Sequence, residues 1–262
     1  MDVKKLFLVV EEDRFSVHEI LHQISLENEE ETSEKLLPYL TLFIHRQKSE
    51  QRSLRVLARR LALKITLEDL NKELPVLINQ HKALNDRVRH LCQELSLKAM
   101  VIWEDDKLDS EINFLLHCHK SLDKNVRDLS EELVLRAIVK WKPVKLSSVL
   151  HFLVSCQQSG NYQARQLSHD LALKVPSRLL GKEVIYLIDR QSSENVNVRN
   201  LSWEITLNVN YSDVLENAEY IRNAQLFNTE KVSFLAKELM MRIESGEPEI
   251  QRKEELLKFL SS

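Results

Sequence analysis

Apolar residues recur along the chain in one frame: an aliphatic residue, Arg, a free position, Leu, three further positions, Leu or Ile, then Leu two residues on. The frame reads Leu54-Arg55-Val56-Leu57 with Leu61 and Leu63, then Val88-Arg89-His90-Leu91 with Leu95 and Leu97, then Val126-Arg127-Asp128-Leu129 with Leu133 and Leu135. It continues as Ala164-Arg165-Gln166-Leu167 with Leu171 and Leu173, Val198-Arg199-Asn200-Leu201 with Ile205 and Leu207, and Val232-Ser233-Phe234-Leu235 with Leu239 and Met241. Taking the arginine position as zero, the equivalent positions 55, 89, 127, 165, 199 and 233 are 34, 38, 38, 34 and 34 residues apart. Positions −1, +2, +3, +6 and +10 fall on one stripe at helical spacing, so each frame predicts an amphipathic helix, B. Position +3 is always small, as Ala58, Cys92, Ser130, Ser168, Ser202 and Ala236. A small side chain there lets a neighbouring helix approach closely.

Upstream of each frame, positions −13 to −11 are apolar: Leu42-Phe43-Ile44, Val76-Leu77-Ile78, Phe114-Leu115-Leu116, Phe152-Leu153-Val154, Tyr186-Leu187-Ile188, and Tyr220-Ile221 before Arg222. These form the core of a preceding helix, A. Position −4 between the two helices is Gln51, Asn85, Asp123, Asn161, Asn195 and Thr229. Five of these types accept hydrogen bonds from the free N–H groups that open a helix, so −4 predicts the N-cap of helix B. Each period is therefore an antiparallel helix pair that needs neighbours to bury its faces, which predicts an all-α stack of repeats.

The repeats cover residues 36–245, as about 36–66, 67–104, 105–142, 143–177, 178–211 and 212–245. Residues 1–35 read as an N-terminal capping helix, with the amphipathic stretch from Phe15 to Ile24, followed by an acidic loop from Glu27 to Glu34. Residues 246–262 follow Ser245-Gly246-Glu247-Pro248 and read as a C-terminal capping helix through Ile250, Leu256, Leu257 and Leu260. Both would cover the apolar ends of the stack.

Composition agrees with helices. Only 3 Gly and 5 Pro interrupt the 262 residues. With 37 basic and 40 acidic residues the net charge is −3, which offers no general attraction to a phosphate backbone. Three cysteines, Cys92, Cys118 and Cys156, sit inside helical patterns and predict reduced, packed thiols of an intracellular, cytoplasmic protein. The apolar run Leu6 to Val10 is too short for a signal peptide and stops at Glu11-Glu12-Asp13. Nor does any segment approach the roughly 20 apolar residues of a membrane span.

Helix pairs of 34 to 38 residues with an Asn/Asp cap, an aliphatic-Arg dipeptide and a Leu-x-x-x-Leu run resemble HEAT and armadillo-type repeats, HEAT more closely. The resemblance implies a right-handed α-α superhelix of about six HEAT-like helix pairs. It also implies a ladder between successive repeats, in which Arg55, Arg89, Arg127, Arg165 and Arg199 form the basic rail, with Asp86 and Asp123 as acidic partners. Asn161, Asn195 and Ser233 depart from that pattern.

Positions +1, +5 and +9 of helix B make a polar face, which in HEAT-like arrays lies on the concave side. The candidate partner-binding residues are His90, Glu94, Lys98, Asp128, Glu132, Arg136, Gln166, Asp170, Lys174, Glu204 and Glu238. Asn200, Asn208, Phe234 and Arg242 complete the face, and acid precedes base by four residues in four repeats, the favourable orientation for pairs along a helix. Such a face reads as solvated or as a mixed-charge protein-binding surface. Leu63, Leu97, Leu135, Leu173, Leu207 and Met241 at +8 pack on the next B helix or, alternatively, line an apolar groove for a partner helix.

Position −8 is Gln47, His81, His119, Gln157, Gln191 and Gln225, which reads as a repeated structural hydrogen bond. Trp103 and Trp141, at one position after helix B, seal junctions between repeats or serve as contact hot spots. His117-Cys118-His119 with His151 and Cys156 lacks ligand spacing, so no metal or other cofactor is expected. Without a Gly-rich phosphate loop or a nucleophile pattern, the expected function is a non-enzymatic scaffold or adaptor that binds a protein partner through the helix-B face. The alternative is a nucleic-acid-binding or DNA-repair, glycosylase-like protein on the same frame, disfavoured by the near-neutral charge.

Overall fold

A computed structural model describes residues 3–11, 29–103, 108–226 and 229–246. Every regular element among them is helical, and no helix there is long and apolar enough to cross a membrane. The chain divides into two compact units, residues 1–137 and 138–262. In the first lie α1 (Val3–Glu11), α2 (Glu29–Leu36), α3 (Leu40–Arg46), α4 (Arg52–Ala62), α5 (Leu67–Lys72), α6 (Leu74–Gln80), α7 (Asp86–Ala99), α8 (Leu108–His119) and α9 (Lys124–Ile138), the last ending at the boundary. The second contains α10 (Pro143–Leu146), α11 (Leu150–Ser155), α12 (Tyr162–Ala172), α13 (Val184–Asp189), α14 (Val196–Leu207), α15 (Tyr211–Glu216), α16 (Ala218–Ala224) and α17 (Glu230–Ser245).

The B helices are α4, α7, α9, α12, α14 and α17, and most of their predicted stripe is buried, with Ala137, Leu167 and Ile243 half-buried. Leu57, Leu61, Leu95, Leu133, Leu171, Leu201, Ile205, Leu235 and Leu239 all lie in the core, as do all six small residues at +3. Helix A is not a single rod. It restarts within several pairs, with Pro38, Pro75 and Pro143 in the first turn of the new segment, where the missing N–H costs no intrahelical bond. The central residues of the A-helix triplets, Phe43, Leu77, Leu115, Leu153, Leu187 and Ile221, are buried in every case.

Four of the predicted caps bond the opening amides. Asn85 accepts from the N–H groups of Arg87 and Val88, Asn161 from Gln163 and Ala164, Asn195 from Asn197 and Val198, and Asp123 from Val126. Gln51 and Thr229 occupy the same position without a side-chain cap. A serine two residues earlier folds the loop onto the cap: Ser49, Ser121, Ser159 and Ser193 each accept from the backbone N–H at −4, at 3.1 to 3.3 Å. Replacing Asn195 with alanine is expected to cost about 1 kcal/mol of stability. Gln51→Asn should shift the urea midpoint the other way, and equal midpoints for all three proteins would contradict the cap assignment.

The arginine at position zero does not build the expected ladder. Its Nη1 reaches back to loop carbonyls of its own helix pair. Arg55 donates to Ser49 and Glu50 at 2.7 and 2.6 Å, Arg89 to Ala83 and Leu84 at 2.7 and 3.0 Å, and Arg127 to Ser121 and Leu122 at 2.8 Å each. Arg165 donates to Ser159 at 2.6 Å, and Arg199 to Ser193 and Glu194 at 2.8 and 2.9 Å. Of the two anticipated acidic partners, Asp86 pairs with Arg89 of its own pair and Asp123 is a cap.

The residue at −8 closes the same clamp from the other side. Gln47, Gln157 and Gln191 donate Nε2 to the backbone carbonyls of Arg55, Arg165 and Arg199 at 2.9 to 3.1 Å. His81 and His119 occupy the same position, and the backbone of Arg89 and Arg127 acts on their rings. In the sixth pair, where serine replaces arginine, the Ser233 hydroxyl donates to the Gln225 carbonyl at 2.9 Å. At Gln47, Gln157 and Gln191 position −8 thus has the structural job expected of it.

Burial pushes the His81 pKa below its ordinary value. The unfolded chain therefore binds the proton more readily, and this histidine removes stability as pH falls below its unfolded pKa.

The N-terminal segment is more helical than expected, since Glu29 to Glu34 belong to α2 rather than to a loop. Ser33 of α2 donates to Asp69 at 2.7 Å and accepts from the Thr66 N–H at 3.0 Å, which ties α2 to the start of α5. Val3 and Phe7 of α1 enter the core, where Phe7 meets Phe43 at 6.0 Å. The stretch Phe15 to Ile24 and the helix expected through Ile250 and Leu260 lie outside the described residues. Helix α17 ends at Gly246, whose φ of +67° is the left-handed cap conformation that glycine adopts without strain.

Candidate partner-binding face

The +8 flank is not uniformly packed. Leu135 is buried, Leu63, Leu97 and Leu207 are half-buried, and Leu173 and Met241 are exposed. The polar face is organised instead by a register between successive B helices, in which position +4 of one helix meets +5 of the next. In the first unit, Arg59 grips Glu94 with two 2.8 Å bonds, and Gln93 donates to Glu132 at 2.6 Å. Glu132 also holds Arg136 one turn along α9. Glu94 and Lys98 therefore do not pair along their helix. Lys98 donates to the carbonyls of Leu63 and Ile65 at 2.5 and 2.7 Å, placing a cation at the C-terminus of α4 where the helix dipole favours one. His90 and Asp128 stay exposed.

In the second unit the same register pairs His169 of α12 with Glu204 of α14, Nε2 to Oε2 at 3.0 Å. These two helices enclose an open recess of about 210 Å³ lined by Gln157, Tyr162, Arg165, Gln166, His169, Asn197, Asn200 and Glu204. Its walls are amides, an imidazole, a carboxylate and a guanidinium. The Tyr162 side stands open, with the residue 68% exposed and the Arg165 guanidinium 5.7 Å from its ring centroid. Two polar atoms buried here, Asn200 Oδ1 and His169 Nδ1, have no hydrogen-bond partner among the described residues. His169 Nδ1 lies 3.7 Å from the Asp170 carboxylate.

Gln166, Asn200 and Glu204 of the predicted face thus come together. Asp170 borders them, accepting from Gln166 at 3.0 Å, and Lys174 is exposed beyond it. The face ends differently at α17. Trp203, at +4, is fully buried and stacks on Phe234 with ring centroids 5.9 Å apart. Arg242, expected on the polar face, is only 6% exposed, and burial lowers its pKa. Glu238 lies half-buried on the same helix.

Periodicity at +1, +5 and +9 overlooked Tyr162, His169 and Asn197, which stand at −3, +4 and −2. The signal available was the +4 series itself, where polar Arg59, Gln93 and His169 recur on a flank otherwise read as packing. Three other sequence candidates are spent on structural contacts. His151 stacks on Tyr186 at 3.7 Å and bonds Glu183 at 2.6 Å. Of the tryptophans, Trp103 donates to Asn71 at 2.6 Å, and Trp141 is buried beneath Lys145. Burial raises the thiol pKa of Cys92 to about 12, as expected of a packed cysteine.

The bond to Glu204, then the nearby Asp170, hold the His169 pKa above its ordinary value against the opposing effect of burial. A raised folded-state pKa contributes stability that is fully present below the unfolded value and is lost as pH rises through the folded one. Glu204→Gln should therefore move the His169 titration, followed by NMR of its ring protons, toward lower pH. It should also reduce stability on the acid side more than above neutrality; an unmoved titration would contradict the pair. No family model, curated protein or solved structure matches this chain.

Proposed function

We propose that the chain is a non-enzymatic scaffold or adaptor built of HEAT-like helix pairs, and that it binds a protein partner along the polar face of its B helices. The recess between α12 and α14 carries this reading: Gln166, Asn197 and Asn200 offer amides that both donate and accept, as a peptide group requires. Beside them Tyr162 supplies a large exposed ring of the kind enriched in contact hot spots. Glu204 and Asp170 add negative charge, which favours a partner segment with a basic residue.

A photoreactive phenylalanine derivative at Tyr162 tests the proposal against the same group at Ile185, an exposed position on α13. In lysate, position 162 is expected to form a discrete protein adduct and position 185 none. Equal labelling at both, or none at 162, would refute the assignment of the face.

A further inference from the structure

Two loops of the first unit repeat one short sequence, His81-Lys82-Ala83-Leu84-Asn85 and His119-Lys120-Ser121-Leu122-Asp123. Leucine stands at the tip of each, 96% exposed at Leu84 and 99% at Leu122. Isolated surface leucines are ordinary. These two share one register position, and the backbone behind each is clamped, Arg89 Nη1 holding the Leu84 carbonyl and Arg127 Nη1 that of Leu122. The loops open neighbouring helices, α7 and α9, which touch through the 2.6 Å bond from Gln93 to Glu132.

The surround is basic. Lys48, Lys82 and Lys120 occupy the same position in three loops and are all exposed, with exposed Arg87 and Lys124 beyond them. Of the nearby acids among the described residues, Asp86 is neutralised by Arg89, leaving Glu50 and the capping carboxylate of Asp123 against these five cations.

Near-complete exposure means that no wall stands beside either leucine, so the edge is convex. A helical ligand would need a groove, and a rigid protein would need a pocket matched to each tip. A bilayer needs neither: its boundary region accepts apolar side chains, and its anionic face attracts lysines. We propose that this edge, through Leu84 and Leu122 together with the loop lysines Lys48, Lys82 and Lys120, docks the protein reversibly on an anionic membrane surface.

Sedimentation of the full chain with vesicles tests this. The protein should pellet with vesicles of equal parts phosphatidylcholine and phosphatidylserine, remain in solution with phosphatidylcholine alone, and be released by salt. Leu84→Asn with Leu122→Asn should weaken partitioning by about tenfold or more, from the apolar groups withdrawn. Lys82→Gln with Lys120→Gln should weaken it about fivefold per lysine. Both pairs are surface changes, and circular dichroism should show unaltered folding. Leu226→Asn, at a leucine 82% exposed in the second unit, should change nothing. No pelleting with anionic vesicles at low salt, which would leave the leucines to a protein partner, overturns the proposal. So does pelleting that the Leu84/Leu122 pair does not alter.

Discussion

Replacing Trp203 with alanine is expected to destabilise the protein by about 3–5 kcal/mol, the largest effect of any single change considered for α14. Trp203 is fully buried, and its ring stacks on Phe234 of the next B helix, so truncation removes contacts within one repeat and between two. Its indole N–H has no acceptor among the described residues. Trp203→Phe therefore removes volume together with an unmatched donor, and should cost less than about 1.5 kcal/mol. Urea unfolding followed by circular dichroism would measure both. Near-equal losses would mean that ring packing is not what Trp203 contributes.

Arg199→Leu should cost about 1.5–3 kcal/mol, the range for hydrogen bonds to a charged group. It deletes both bonds that hold the loop, to Ser193 and Glu194. The Gln191 bond to the Arg199 carbonyl is untouched, because it needs only the backbone. Hydrogen exchange should consequently speed up at the amides of Ser193 to Asn195 while the centre of α14 keeps its protection. Uniform acceleration along α14 would show instead that the arginine supports the helix rather than the loop. The same substitution at position 233 has no counterpart, since serine there already links to Gln225 from the opposite direction.

Much of this arrangement was legible in the sequence because it depends on side-chain size and local spacing. The small residue at +3 could only face a close neighbour, and it is buried in all six frames. Asn85, Asp123, Asn161 and Asn195 cap helices through their own short side chains, which act within three residues. The arginine was harder. Its partners are backbone carbonyls, which every residue possesses, so nothing in the letters at −6 and −5 marks them as acceptors. A ladder between repeats and a clamp within one leave the same sequence trace.

The recess was half legible. Gln166, Asn200 and Glu204 fell on the expected face, but His169 joined them through an offset between successive B helices that a repeat length does not encode. That offset also turns Glu94 toward Arg59 and away from Lys98, whose ammonium is better satisfied by two free carbonyls at a helix end. At α17 the same face is closed over, because Phe234 and Trp203 supply aromatic surface where earlier repeats have polar side chains.

We propose a division of labour between adjacent positions: the arginine at zero staples its loop, while the residues around it, Tyr162, Gln166 and Asn200, contact a partner. Affinity capture with the full chain carrying Tyr162→Ala and Asn200→Ala, compared with the unsubstituted chain at matched urea midpoints, tests this most directly. Expected are an unchanged midpoint and at least about a tenfold loss of the captured partner, the scale of a truncated hot spot. Full capture by the double variant would contradict it.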